Sequence, residues 1–177
     1  MNPKALLLIA AAVTAIAATS HAEPGTSLDD PSFDTMPKAG ISIHKSPEAE
    51  QALVVETVSD NPHEGSGCLK ISLPVAAYAS VSFPLRQESQ AMDIEFAYRV
   101  EASPEAVVKI GVQSFTMAGG FRSVDFKPVV APGQYGPEWK VFRGRIERAE
   151  GATHWQLSVA INGPATVWLD RLEAQPQ

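Results

Sequence analysis

Apolar and polar residues alternate with a period of two through most of the chain that follows residue 50. The pattern is clearest over residues 92–100, where Met92, Ile94, Phe96, Tyr98 and Val100 are separated by Asp, Glu, Ala and Arg. Successive side chains of a β-strand point to opposite faces, so these five residues would share one face. The stretch therefore predicts a strand with one buried face and one polar face.

Eight further stretches show this alternation, and glycine, proline and asparagine separate them as turn residues do. Together they predict nine short strands and an all-β sandwich or barrel. One short helical turn is predicted over 46–51, because Ser46 can cap it and Pro47 suits the first helical position. The eight stretches are 52–58, 68–73, 78–83, 107–115, 123–130, 139–146, 155–161 and 166–172.

The first 22 residues have the features of an export signal. Lys4 precedes an apolar run over 5–18 that is short for a bilayer span, and small residues occupy the positions three and one before the expected cleavage. We therefore expect a single mature domain over 23–177, located in the periplasm or outside the cell. No second run of this kind follows, so we expect no membrane-spanning segment in the mature protein.

The net charge of the chain narrows the classes of partner that it could bind. The formal net charge is −6, and loss of the signal with its single Lys4 makes it more negative. Nucleic acid and anionic membrane surfaces are therefore poor partners.

Cys68 is the single cysteine, so the domain cannot contain an internal disulfide. Its stability must come from its core or from a bound ion.

Five motifs follow one another along the chain: DPSFD (30–34), HEGSGCLKI (63–71), MDIEFAYRV (92–100), EWKVF (138–142) and TVWLDRLEA (166–174). Their order resembles that in the jelly-roll carbohydrate-binding modules of the galactose-binding-like superfamily. The resemblance implies a jelly-roll β-sandwich of two antiparallel sheets that binds carbohydrate without catalysis. The chain departs from the family pattern at Asp34, where Glu is usual, and at Arg171, where a second Asp is usual.

The resemblance also implies a structural calcium ion that joins the N-terminal loop to the last strand. Asp34 and Asp170 match the two acidic ligand positions, and calcium requires six to eight oxygens. Two other interpretations of Asp170 stay open. It can be a buried carboxylate that accepts hydrogen bonds from loop amides, as buried charges require, or it can be a catalytic group.

Polar faces of the predicted strands suggest where a sugar would bind. If Tyr78, Arg99, Gln113, Phe115 and Gln156 lie on the concave sheet, they form a groove with two rings and three hydrogen-bonding groups. The alternative is an ordinary solvated sheet face.

The tryptophans contribute less to this interpretation. Trp155 is in phase with apolar residues of its strand, and Trp139 matches a position that is usually core in the family, so both are interpreted as packing residues. Trp168 shares a face with Asp170 and Leu172 in a regular alternation, and its role stays open.

Catalysis finds little support in the sequence. The chain has no Gly-x-Ser-x-Gly, no His-Glu-x-x-His and no phosphate-binding glycine loop. The leading hypothesis is therefore an exported, non-catalytic carbohydrate-binding protein. The alternatives are an envelope protein that uses the sandwich to bind a protein partner, without a sugar site, and a small polysaccharide lyase or hydrolase.

Overall fold

The computed structural model describes residues 32–36, 40–86, 88–118, 122–130, 134 and 136–177. The predicted export signal and its cleavage site lie outside these residues. Within them, no helix is both long enough and apolar enough to cross a membrane.

Ten β-strands and one turn of 3-10 helix, Pro47–Ala49, make up the described fold. The nine predicted strands are all present, and the helical turn falls inside the predicted range. Strand β1 was not predicted, because its four residues, SIHK, carry too little alternation to stand out. The strands are β1 Ser42–Lys45, β2 Val54–Val58, β3 Cys68–Leu73, β4 Tyr78–Pro84, β5 Ala91–Ala102, β6 Val107–Thr116, β7 Arg122–Val130, β8 Lys140–Glu147, β9 His154–Asn162 and β10 Ala165–Pro176.

The strands form two five-stranded sheets. The front sheet has the order β1-β4-β9-β6-β7, and the back sheet has the order β2-β3-β10-β5-β8. Every strand pair in both sheets is antiparallel. The all-β sandwich of two antiparallel sheets expected from the sequence is therefore confirmed.

The core lies between the sheets and contains the apolar face of each strand. The predicted face of β5, from Met92 to Val100, is buried throughout, with each member at most 6% exposed. In β9, Trp155 is 1% exposed and packs in line with Leu157, Val159 and Ile161, as predicted. Its indole Nε1 donates a hydrogen bond of 2.7 Å to the carbonyl of Arg86. This bond gives a partner to the one polar atom of the buried indole.

Asp170 links the closing strand to the loop before β3. One oxygen of its carboxylate, Oδ2, accepts hydrogen bonds from the amides of His63 at 2.8 Å and Glu64 at 2.9 Å. The residue is 1% exposed, so these bonds supply the partners that a buried carboxylate needs. Of the roles considered for Asp170, acceptance of hydrogen bonds from loop amides is the one that the described contacts display.

Asp34 contacts the same loop two residues further along. Its Oδ1 accepts hydrogen bonds from the amides of Ser66 at 2.5 Å and Gly67 at 2.9 Å. The loop turns tightly here because Gly65 adopts a φ of 65°, where a side chain would be strained and would also meet the Asp34 carboxylate. The N-terminal segment and the last strand are therefore both tied to residues 63–67.

A β-bulge follows Asp170 and changes the phase of the last strand. The pairing of β10 with β5 shifts register between Asp170 and Glu173, and Arg171 has a φ of 51°. Before the bulge Leu169 packs in the core, and after it Leu172 does. A regular alternation would have put Leu172 on the face of Trp168 and Asp170. That prediction is wrong, because the extra residue of a bulge exchanges the two faces.

Replacement of Asp170 by alanine should destabilise the domain, because it leaves two loop amides without an acceptor in a site closed to water. We expect a loss of about 2–3 kcal/mol in the free energy of unfolding, or a fall of about 5–10 °C in melting temperature. Thermal and denaturant unfolding would measure it. Asp34→Ala is the matched control and should cost less, since its carboxylate is exposed and water can replace it. Equal stability of Asp170→Ala and the unsubstituted protein would contradict this role.

Candidate functional site

A row of small residues crosses the outer face of the front sheet. Strand register aligns Ser42, Ser82, Ser158, Gly111 and Pro128 on neighbouring strands, from β1 to β7. Ser82 is 3% exposed and Ser158 is 1% exposed although both face away from the core. Larger side chains on either side must therefore rise above this row, which makes it the floor of a groove.

Hydrogen bonds fix the polar atoms of this floor. The hydroxyls of Ser82 and Ser158 lie 2.8 Å apart, and Ser158 Oγ also donates to Gln113 Oε1 at 3.4 Å. Gln156 Nε2 donates to the same Gln113 Oε1 at 3.4 Å. These bonds use the amide oxygen of Gln113, whose NH2 group is a donor without a hydrogen bond to the described residues. Such a group suits the hydroxyl oxygens of a ligand.

Aromatic rings stand along the groove. Tyr78 is 40% exposed and packs edge to face with His44, with the ring centroids 6.1 Å apart. On the other side the ring of Phe126 lies over Gly111, where a Cβ atom would come within 2.6 Å of it. A partly exposed ring offers an apolar surface to a ligand.

Three cavities adjoin one another on this face of the front sheet, and the first two include residues of the floor. The first has a volume of about 340 Å³ and the second about 400 Å³, and both are lined by Tyr78, Ser80 and Gln113. The third, of about 290 Å³, shares Tyr78, Lys109 and Ala160 with the second. We refer to them together as the front groove. Their sizes are comparable to those of small-molecule sites.

Four of the five residues predicted for the sugar site meet in one cavity of the front groove. Tyr78 comes from β4, Gln113 and Phe115 from β6, and Gln156 from β9. These strands are neighbours in the front sheet, and their outward faces have the phase expected from the alternation. The structure therefore brings these four side chains together, and whether they bind a ligand stays a prediction.

Arg99 does not belong to this set. It lies on β5 of the back sheet and is 9% exposed. Its guanidinium carbon is 4.0 Å from the ring centroid of Trp168 and 5.5 Å from that of Trp139, a cation–π arrangement. The sequence pattern correctly indicates the outward face of β5, but alternation within a strand carries no information about which sheet the strand joins.

His44 and Phe126 line the front groove although neither was selected from the sequence. His44 lies on the short strand β1, which the alternation did not reveal. Phe126 lies on β7, and the alternation in that predicted strand already puts Phe126 on the same face as Pro128. Recognition of it would have required the knowledge that β7 pairs with β6.

The two predicted metal ligands, Asp34 and Asp170, have hydrogen-bond donors as their described partners. Hydrogen bonds from Ser66 hold the pKa of Asp34 below its ordinary value, whereas burial raises the pKa of Asp170 despite the amides that contact it. No cluster of three or more His, Cys, Asp or Glu suited to a metal occurs in the described part of the chain. Calcium needs six to eight oxygens, so these two carboxylates would need several carbonyl or water ligands.

Catalytic groups are sparse around the front groove. Among the described residues that line its three cavities, none is an aspartate or glutamate. A typical glycoside hydrolase requires two carboxylates that flank the scissile bond. Cys68 is buried in β3, and desolvation raises the pKa of its thiol to about 11, so the reactive thiolate is disfavoured.

Comparison with known proteins adds information about the fold. Neither a protein-family model nor a curated protein matches the sequence. Among solved structures, the chain is similar to the CBM22-1 xylan-binding domain of Paenibacillus barcinonensis Xyn10C, with a TM-score of 0.59, 16% identity and coverage of 82% of this chain and 90% of that one. The likeness shows a shared jelly-roll β-sandwich fold. The resemblance expected from the sequence is confirmed at this level.

Two further structures have the same fold. TmCBM61, solved in complex with β-1,4-galactotriose, gives a TM-score of 0.53 at 18% identity, over 86% of this chain and 99% of that one. The enzymatically active domain of bacteriophage CBA120 tailspike protein 4 gives 0.60 at 12% identity, over 87% of this chain. This chain spans only 21% of the tailspike chain. At such identities the likeness establishes the fold and leaves the ligand open.

Gly111→Ala should disturb the front groove, because the added Cβ atom would lie 2.5 Å from the carbonyl oxygen of Lys127 and 2.6 Å from the ring of Phe126. A backbone neighbour cannot rotate away, so β7 would have to move. We expect a loss of about 1–3 kcal/mol in the free energy of unfolding, measured by denaturant titration. Gly136→Ala is the control, since nothing lies within 4 Å of its added Cβ. Equal stability of the two variants would contradict the close packing of β6 and β7.

The calcium prediction for Asp34 and Asp170 requires that removal of the ion destabilise the domain. EGTA should then lower the melting temperature, and excess calcium should restore it, because an ion bound to the folded state alone stabilises that state. Asp170→Ala should lose this response. A melting temperature that EGTA leaves unchanged would contradict the calcium prediction and leave the amide hydrogen bonds as the link.

Proposed function

We propose that this protein is an exported, non-catalytic carbohydrate-binding protein that holds a sugar chain in the front groove. It acts in the periplasm or outside the cell, as the export signal predicted over residues 1–22 indicates. The observation that carries the proposal is the groove itself. A floor of hydrogen-bonded small residues is bordered by exposed rings and by the amides of Gln113 and Gln156.

The chemistry of a sugar suits this surface. A pyranose ring presents apolar C–H faces, which an exposed ring such as Tyr78 can cover, and a rim of hydroxyls, which amides and serine hydroxyls can bind. The floor is already rigid, because its hydroxyls and amides hold one another in place. Little side-chain entropy is then lost when a ligand binds.

The comparisons support the proposal. The CBM22-1 domain is described as xylan-binding, and the TmCBM61 structure contains a galactotriose. The absence of carboxylates among the described lining residues favours binding over hydrolysis. One structure with this fold is the enzymatically active domain of bacteriophage CBA120 tailspike protein 4, so a test for reaction products belongs beside the binding test.

Tyr78→Ala should weaken glycan binding at least tenfold, because it removes the ring that lines all three cavities of the groove. Loss of one aromatic contact and of the apolar area that it buries costs about 1.5–2 kcal/mol, which corresponds to about tenfold to thirtyfold in affinity. A glycan array followed by affinity electrophoresis on the selected polysaccharide would measure it.

Arg99→Ala is the matched control for this experiment, since Arg99 lies on the opposite sheet and should leave the affinity unchanged. A well-folded protein that binds no glycan would contradict the proposal and favour an envelope protein partner. Release of reducing ends or unsaturated products during incubation would contradict the non-catalytic assignment.

A further inference from the structure

The front groove differs in charge from the rest of the protein. The chain carries 20 acidic and 14 basic residues, yet the described residues that line the three cavities include no carboxylate. Their basic side chains are His44 and Lys109. Asp125 on β7 and Glu105 just before β6 are close in sequence to the groove strands, but neither of them lines one of these three cavities.

Lys109 has a defined position in this groove. It is paired in register with Ala160, which is paired with Ser80, which is paired with His44. Neighbouring strands are about 4.8 Å apart, so His44 and Lys109 lie about 14 Å apart across the sheet, with Ser80 and Ala160 between them. The small side chains of Ser80 and Ala160 leave the space between them open.

The ammonium of Lys109 is available to a ligand. Lys45 forms an ion pair with Glu50, and Lys70 forms one with Glu56. Lys109 is exposed and makes no ion pair or hydrogen bond with the described residues. A ligand oxyanion can therefore bind this ammonium without displacing a carboxylate of the protein, and a hydrogen bond between charged groups is stronger than a neutral one.

The net negative charge of the chain does not oppose such a ligand at close range. Interactions between exposed charges are largely screened beyond about 8–10 Å at physiological salt. The charges closest to a bound sugar therefore decide the interaction, and within the described groove they are basic. A glycan without acidic groups would cover the groove and leave the Lys109 ammonium without an anionic partner, whereas an acidic glycan would supply that partner.

We propose that the natural ligand is an acidic glycan, with a uronate carboxylate or a sulfate ester that binds Lys109. This inference rests on the proposed function, since it names the class of sugar for the same groove. Both groups present an oxyanion attached to a sugar ring, and the choice between them is made by experiment.

The test compares two matched pairs of polymers with the unsubstituted protein and with Lys109→Gln. Galactan and polygalacturonate form the carboxylate pair, and dextran and dextran sulfate form the sulfate pair. We expect the acidic member of at least one pair to bind about tenfold more tightly at low salt. Lys109→Gln should remove most of that preference, and added salt should reduce it in the unsubstituted protein. The pair that shows the preference identifies the oxyanion.

Lys70→Gln controls for the change in net charge, because it removes one positive charge from the back sheet and should keep the preference. A preference that survives in Lys109→Gln, or that both variants lose equally, would overturn the assignment to Lys109. Equal binding of neutral and acidic polymers would overturn the inference and leave the proposed function intact. Failure of the protein to bind any glycan on a wider array would overturn the proposed function itself.

Discussion

The requirement that two sheets fill a single core with one face of each strand governs the rest of this structure. The inward faces of β5 and β9 are apolar and almost fully buried, so polar or aromatic side chains available for function must lie on outward faces or in loops. Burial of apolar surface is the dominant favourable term in folding, and it removes half of each strand from contact with a ligand. The front groove is therefore built on an outward face, and its floor is smooth because the outward residues there are small.

Asp170 illustrates how a residue of functional appearance can serve the fold. A carboxylate flanked by leucines in a closing strand suggests catalysis or a metal, but its described partners are the amides of His63 and Glu64. The bulge at Arg171 is coupled to this arrangement. It returns Leu172 to the core shortly after Asp170 has faced the loop, so one strand both closes the sandwich and holds the loop before β3.

The two outer faces of the sandwich differ in chemistry. The front sheet presents serines, amides and exposed rings without a carboxylate along the described groove. The back sheet presents cross-strand ion pairs, such as the bidentate contact of Arg143 with Glu95 at 2.7 and 2.9 Å. It also presents Arg99 in cation–π contact with Trp168 and Trp139. Paired charges satisfy one another, whereas the polar groups of the front groove have capacity left for a ligand. This contrast favours the front sheet for the candidate site, although the outer face of the back sheet also contains a cavity.

The sequence by itself determined the nine longer strands, the inward faces of β5 and β9 and the all-β class, because side-chain alternation is a local property of an extended backbone. It also brought Tyr78, Gln113, Phe115 and Gln156 into consideration, since their outward phase can be read within single strands. Only the tertiary structure decided that Arg99 belongs to the other sheet, that His44 and Phe126 border the groove, and that a bulge reverses the phase after Asp170. Sheet membership and register depend on pairing between strands far apart in the chain, and no local pattern encodes which strand will be the neighbour.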